Sequence, residues 1–288
     1  MLLTVSNKRP ERSSNEPHLE TSMETPNSTI LVIDVGNTNT VLGLYEGETL
    51  RALWRLATSR EQTADEYGVV IHNLFALEKL SATDINGIMI ASVVPPMNFV
   101  LAEMAKKYFK MEPVFLGPGT RTGMAILVET PQEVGADRIA DSVAAFEKYG
   151  GPCIVMDFGT AITFDCVSQK GEYLGGVIMP GIGIIADALF HRTAKLPRVE
   201  FREPDRVIGT NTISNIQSGL FYGVVDAVDG MLGRMCSVLG KQTKVIATGG
   251  QAPMIAGASK YKPTLDSSLT LDGLRIIYHR NQAAPRRK

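Results

Sequence analysis

Apolar and β-branched residues at Ile30–Ile33, Val41–Tyr45 and Leu50–Leu56 are separated by two polar, glycine-bearing stretches, Asp34–Thr40 and Glu46-Gly47-Glu48. This strand, turn, strand, turn, strand pattern predicts an antiparallel meander, with order beginning at Thr29. Between Thr63 and Leu80 the apolar positions Tyr67, Val70, Ile71, Leu74, Phe75 and Leu77 fall at helical spacing. Gly87–Val93 reads as a buried strand ending before Pro95-Pro96, Phe99–Phe109 as a helix and Pro113–Leu116 as a short strand. Thr130–Tyr149 predicts a helix, with Thr130 as N-cap, Pro131 in the first position and Glu133 closing a capping box. Gly135 offers a later start at Ala136, and Gly150-Gly151-Pro152 ends the element.

The pattern then begins again. Cys153–Met156, Phe164–Val167 and Tyr173–Met179 predict three strands, parted by Asp157–Thr163 and Gln169-Lys170-Gly171. Leu31-Val32-Ile33-Asp34-Val35-Gly36 has its counterpart in Ile154-Val155-Met156-Asp157-Phe158-Gly159. A repeat this far apart is no solenoid period; it implies two copies of one topology. Strands alternating with helices after each meander place the chain in the α/β class. The expected division is an N-terminal domain over 30–149 and a C-terminal domain over 150–282. Asn211–Leu239 predicts a long helix whose Ile213, Ile216, Leu220, Val224, Val228 and Leu232 form one stripe. Val245–Ala247 is a strand running into Thr248-Gly249-Gly250, and Leu269–Tyr278 a last helix.

Composition narrows the function classes. A formal net charge of −1 gives no overall pull toward nucleic acid or an anionic membrane. No apolar run approaches the roughly 18–20 residues that span a bilayer. The three cysteines form no C-x-x-C pair and are odd in number, which points to a reducing cytoplasm. The four histidines stand in no zinc-binding spacing. Residues 1–29, rich in Ser, Glu, Asn, Pro and Thr, are expected to be a disordered extension, and 283–288 a basic tail. Met23 is an alternative start; finding residues 1–22 in the natural protein by mass spectrometry would exclude it.

The candidate chemistry sits in the repeated turns. A carboxylate ending a buried strand, followed by a Gly-bearing turn, suits a phosphate group. In Asp34-Val35-Gly36-Asn37-Thr38-Asn39-Thr40, backbone N–H groups and the hydroxyls of Thr38 and Thr40 can donate to phosphate oxygens, and Asp34 can hold Mg²⁺ through water. Asp157-Phe158-Gly159-Thr160-Ala161-Ile162-Thr163 is the second such turn. Either alone reads equally well as a simple β-turn; two facing turns can clamp a polyphosphate. Gly135-Ala136-Asp137-Arg138 places a carboxylate and a guanidinium near a helix start. That is either a surface ion pair or a catalytic acid with an anion-holding fork. Thr248-Gly249-Gly250 permits close approach to a flat ligand. Gly181-Ile182-Gly183-Ile184-Ile185-Ala186 fits the loose dinucleotide fingerprint, but late in its domain and after Pro180. Gly117–Gly123 lacks the G-K-[ST] of a phosphate-binding loop and reads as a substrate-side loop.

Two Asp-x-Gly turns with a late Gly-Gly turn resemble the acetate and sugar kinase, Hsp70 and actin superfamily. Within it, DVGNTNT at Asp34–Thr40, GADR at Gly135–Arg138 and DFGTAI at Asp157–Ile162 resemble type III pantothenate kinases. So do YLGGVIMPGIG at Tyr173–Gly183, IGTNT at Ile208–Thr212 and ATGG at Ala247–Gly250. The resemblance implies two ribonuclease H-like domains with ATP between them. It implies transfer of phosphate to the pantothenate alcohol, the first step of coenzyme A synthesis. Its motif positions imply that Asp34, Val35, Gly36, Asn37, Thr38, Asn39, Thr40, Val41 and Thr160 bind ATP. Gly135, Ala136, Asp137, Arg138 and Thr212 would bind pantothenate, with Asp137 as the base. Asp157 would hold K⁺ or NH₄⁺. A homodimer is expected, with the Ile213–Leu232 stripe in its contact. Many members carry a tyrosine seven residues before the GADR glycine, where this chain has Val128. A kinase for another small acceptor and a non-catalytic regulatory relative are the alternatives; the retained Asp34, Asp137 and Asp157 favour an enzyme.

Overall fold

The computed structural model of the protein describes residues 28–282. The expectations for 1–27 and 283–288, including the start at Met23, lie outside the described residues; Thr29, counted with the disordered extension, is instead the first residue of a strand paired on both sides. The first sheet is built on the predicted meander: β1 (Thr29–Val35), β2 (Asn39–Glu46) and β3 (Thr49–Ala57). β4 (Ile85–Ser92) then lies parallel to β1, and β5 (Val114–Phe115) parallel to β4, giving the order β3-β2-β1-β4-β5. Ile33, Val35, Ile88 and Ile90 turn one face of this sheet toward α1 (Ala64–Leu77) and α2 (Pro95–Met104). Thr63 caps α1 in a reciprocal box with Glu66. α2 runs on into a π-helical turn over Ala105–Phe109.

The second sheet repeats the plan. β7 (Cys153–Phe158), β8 (Ala161–Val167) and β9 (Glu172–Pro180) form an antiparallel meander. β10 (Lys244–Thr248) is parallel to β7, with β11 (Thr264–Leu265) outside it and β6 (Ala125–Ile126) beside β9. The order is β11-β10-β7-β8-β9-β6. Ile154, Met156, Ile162 and Phe164 pack against α5 (Thr212–Leu239), with α4 (Ile182–Arg192) and α6 (Ala252–Ala258) on the same side. Each sheet thus carries a β1–β2–β3–β4-like unit, two ribonuclease H-like domains in one α/β chain.

α3 (Ala136–Tyr149) and α7 (Leu269–Gln282) lie between the two sheets. Their shared core joins Ile30, Val32 and Met89 from the first sheet to Val155, Tyr173 and Ile246 from the second, through Ala140, Ala144, Leu274 and Ile277. Gly273 allows the two helices to touch, because a Cβ there would run into the carbonyl of Ala140. Lys148 near the end of α3 bridges Asp266 and Asp272 at 2.5 and 2.7 Å, and Tyr45 donates to Asp272 at 2.7 Å.

Two expectations are corrected here, and the reading of 181–186 as no dinucleotide site is met. Thr130 makes no side-chain cap; Pro131–Glu133 forms a 3₁₀ turn and α3 starts at Ala136, with Gly135 as N-cap. The reason is local: Val134 is extended and ends the 3₁₀ turn, and Gly135 suits the new start, since a Cβ there would collide with the Asp137 carboxylate. The α5 stripe is also spent inside the chain. Leu220, Val224, Val228 and Leu232 are buried against the second sheet, and of the stripe only Ile213 is exposed. The fingerprint at 181–186 opens α4 after an antiparallel strand, which is not the parallel unit of a dinucleotide fold.

Candidate active site

β1 carries Asp34 to its C-terminal end, and the turn that follows folds tightly. Gly36 N–H donates to Asn39 O at 2.9 Å. Thr58, just past β3, stitches the turn from behind: its hydroxyl donates to Gly36 O at 2.8 Å and its N–H to Thr38 O at 3.0 Å. The buried Thr40 hydroxyl lies 2.9 Å from that of Thr58, so it braces the turn. Asn37 and Thr38 are left exposed at the tip.

β7 carries Asp157 to the equivalent place, beside Thr248 of β10. Gly159 N–H donates to Ala161 O at 3.0 Å, the counterpart of the Gly36 bond. Gly181 is pressed onto the backbone of Thr160, where a Cβ has no room. The two turns meet: Thr38 Oγ1 and Thr160 Oγ1 lie 2.9 Å apart, joining residues from opposite domains.

α3 brings the third carboxylate. Asp137 sits in its first turn, with Oδ1 accepting from Arg138 N–H at 2.8 Å. Burial raises the proton affinity of Asp137, opposed by that N–H and by the Arg138 charge. Burial likewise holds Asp34 well above the usual carboxylate range, reinforced by Asp137 and Asp157 and opposed by Arg55. Asp157 is pushed up to about 7, by burial first and then by Asp137 and Asp165. The three predicted acids therefore share one electrostatic environment, although they lie far apart in sequence.

Sequence reasoning missed several members. Asp141 follows Asp137 by one helical turn, is buried, and leaves Oδ1 without a hydrogen-bond partner. Burial, then Asp157, drives its proton affinity well up. The i to i+4 spacing puts it on the face of Asp137, which is a readable signal. Arg55 on β3 and the supporting Thr58 carry no motif. Asp165 stands on an inward position of an apolar strand, a place where a carboxylate needs a partner. That partner is Arg138.

Thr212 opens α5 with an exposed side chain, and makes no hydrogen bond to Gly135–Arg138 among the described residues. The 117–123 loop is tied to the last helix: Arg121 N–H donates to Asn281 Oδ1 at 3.0 Å, and Arg280 donates to Thr122 O. Val128 packs beside Gly175, on the strand whose Gly176 faces Arg138.

The acids suit hard cations. Among the described residues no three His, Cys, Asp or Glu side chains form a ready ligand set.

The sequence profile of type III pantothenate kinase matches residues 30–234. The chain belongs to the type III pantothenate kinase family. A type III pantothenate kinase from Koribacter versatilis is 54% identical over 269 residues, covering 90% of this chain and 98% of the relative. Among solved structures, a protein assigned to the Baf family of transcriptional activators from Campylobacter jejuni superposes with a TM-score of 0.57. It is 21% identical and covers 88% of this chain and 100% of its own. The ethanolamine utilization protein EutJ from Carboxydothermus hydrogenoformans superposes with a TM-score of 0.53 at 14% identity, covering 88% of this chain and 90% of its own. At these identities the two structures speak to the fold alone. This type III pantothenate kinase chain matches its relative over nearly the whole of both, so the family's fold is present in full.

Proposed function

We propose that the paired turns and the start of α3 carry out ATP-dependent phosphorylation of pantothenate, with Asp137 as general base. Membership of the family gives the reaction class, transfer of a phosphoryl group to an alcohol in coenzyme A biosynthesis. The observation that carries the residue roles is the contact between Thr38 and Thr160, which turns two phosphate-suited turns face to face beside Asp137.

In this reading ATP lies between the domains, its phosphates held by Asp34–Val41 and Thr160. Thr38 and Thr160 donate to the phosphates, and the braced backbone of Gly36 allows close approach. Pantothenate lies along Gly135–Arg138, with Thr212 as an outer contact. Its hydroxyl faces Asp137, which accepts the proton as the phosphoryl group moves in line. Such transfer depends on position and on neutralising charge more than on a strong base. The raised proton affinity of Asp137 improves it as a late acceptor.

Asp34 would hold Mg²⁺ through water and Asp157 a monovalent cation, K⁺ or NH₄⁺. These cations supply positive charge against the polyphosphate and against the cluster of acids. No described helix is long and apolar enough to cross a membrane. The working form is a cytoplasmic homodimer. Since the apolar stripe of α5 is buried, its contact must use other surface, such as the exposed face bearing Gly219, Gly223 and Ala227.

The test is ADP release with and without pantothenate, in K⁺ and in Na⁺. Release that needs both pantothenate and K⁺ is expected. Release with a different small acceptor in its place would move the assignment to another kinase, and none with any acceptor would favour a regulatory binding protein.

A further inference from the structure

Arg138 enters the site with one edge of its fork already engaged. Its Nε and Nη2 both donate to Asp165 Oδ1, at 2.9 and 2.7 Å. Tyr173 donates to the same oxygen at 2.7 Å, and Thr163 donates to Oδ2 at 3.2 Å. The Asp165 side chain is 1% exposed and that of Arg138 16%. Gly176 makes room for the guanidinium, since a Cβ there would lie 2.8 Å from Nη2.

A contribution to stability does not account for this arrangement. Desolvating a carboxylate and a guanidinium cancels much of their attraction, and a packed apolar pair would hold the strand to the helix as well. The arrangement does give Arg138 a fixed direction. Arginine is long and rotamer-rich, so an unheld fork loses binding energy each time it must be ordered by a ligand. It is also the immediate neighbour of Asp137, whose carboxylate would draw a released guanidinium onto the base. Engaging Nε and Nη2 behind the site leaves the Nη1 end for an anion in front.

We propose that Asp165, held by Tyr173 and Thr163, is a positioning residue that aims Arg138 at the carboxylate of the acceptor. This rests on the reading above, in which Arg138 contacts pantothenate. Pantothenate carries its carboxylate at the end remote from the reacting hydroxyl. A fork fixed at the start of α3 would therefore set the distance from that carboxylate to Asp137, selecting acidic acceptors of one length.

The test compares wild type, Asp165→Asn and Tyr173→Phe with two acceptors: pantothenate, and pantothenol, which has an alcohol in place of the carboxylate. Wild type is expected to prefer pantothenate. Asp165→Asn, which weakens a charge-assisted bond, is expected to raise KM for pantothenate roughly 10- to 100-fold while moving KM for pantothenol and for ATP about twofold or less. The preference then collapses. Tyr173→Phe should move the same ratio by a smaller factor, and it carries the test if Asp165→Asn does not fold. Equal losses with both acceptors and ATP, tracking a fall in Tm, would show a merely structural role and overturn the proposal. A wild type that phosphorylates both acceptors equally would overturn it together with the role of Arg138, leaving the kinase assignment intact. A wild type inert with both would overturn the kinase assignment itself.

Discussion

Gly249 stands against Asp157: at a φ of +92°, a Cβ on residue 249 would lie 2.5 Å from Asp157 Oδ1. The late Gly-Gly turn therefore protects a carboxylate of the site. Gly249→Ala meets both a backbone region that L-residues avoid and a collision, an expected cost of roughly 1–3 kcal/mol. It should lower Tm and also weaken activation by K⁺, because Asp157 must move. Full K⁺ activation in a destabilised variant would separate the turn from the cation.

The contact between Thr38 and Thr160 predicts coupling across the domains. Thr38→Val and Thr160→Val should each raise KM for ATP. The double variant should lose less than their sum, by about 0.5–1.5 kcal/mol if the hydroxyls act on the phosphates together. A strictly additive cycle would mean that the two turns bind independently.

Asp137→Asn keeps the size and most hydrogen bonds of the side chain while removing its basicity. Turnover should fall roughly 10²- to 10⁴-fold, the usual worth of a positioned base. ATP binding, followed by fluorescent nucleotide titration, should change little. Near-wild-type turnover would rule Asp137 out as the base.

Asp157 makes the unliganded protein sensitive to pH. Its folded-state value of about 7 lies above the ordinary carboxylate value of 3.8. The folded state therefore holds a proton that the unfolded chain has lost, so this contribution is present in full below the unfolded value and disappears as pH rises through about 7. Without nucleotide or K⁺, Asp157→Asn should be more stable than wild type at pH 8, with the gap closing toward pH 5. Thermal melts at the two pH values check this. Added K⁺ should stabilise wild type more at pH 8 than at pH 5, because it binds the ionised form.

Much of this architecture is legible in the chain because its strands carry dense apolar runs and its Asp-x-Gly turns interrupt them abruptly. Asp34, Asp157 and Gly36 are visible for that reason. The start of α3 is legible in part: Thr130-Pro131-Gln132-Glu133 satisfies the local rules of a helix start, while Gly135 offers the start at Ala136 that the structure takes. The extended backbone at Val134 separates the 3₁₀ turn from the helix. β6 and β11, at two residues each, are too short to show a period. Asp165 looks like one more acid in a strand until the fold brings Arg138 to it from 27 positions earlier. The stripe on α5 shows that a face is covered, but not whether a sheet or a second copy covers it.

The placement of α7 has a consequence for biosynthesis. The first sheet turns Ile30, Val32 and Met89 toward Leu271, Leu274 and Ile277, and Tyr45 toward Asp272, 227 positions away. At translation rates of about 5–20 residues per second, the first sheet, complete at β5, waits roughly 8–33 s for α7. During that interval α3 alone covers that apolar face, and the part that awaits α7 stays open to non-native contacts.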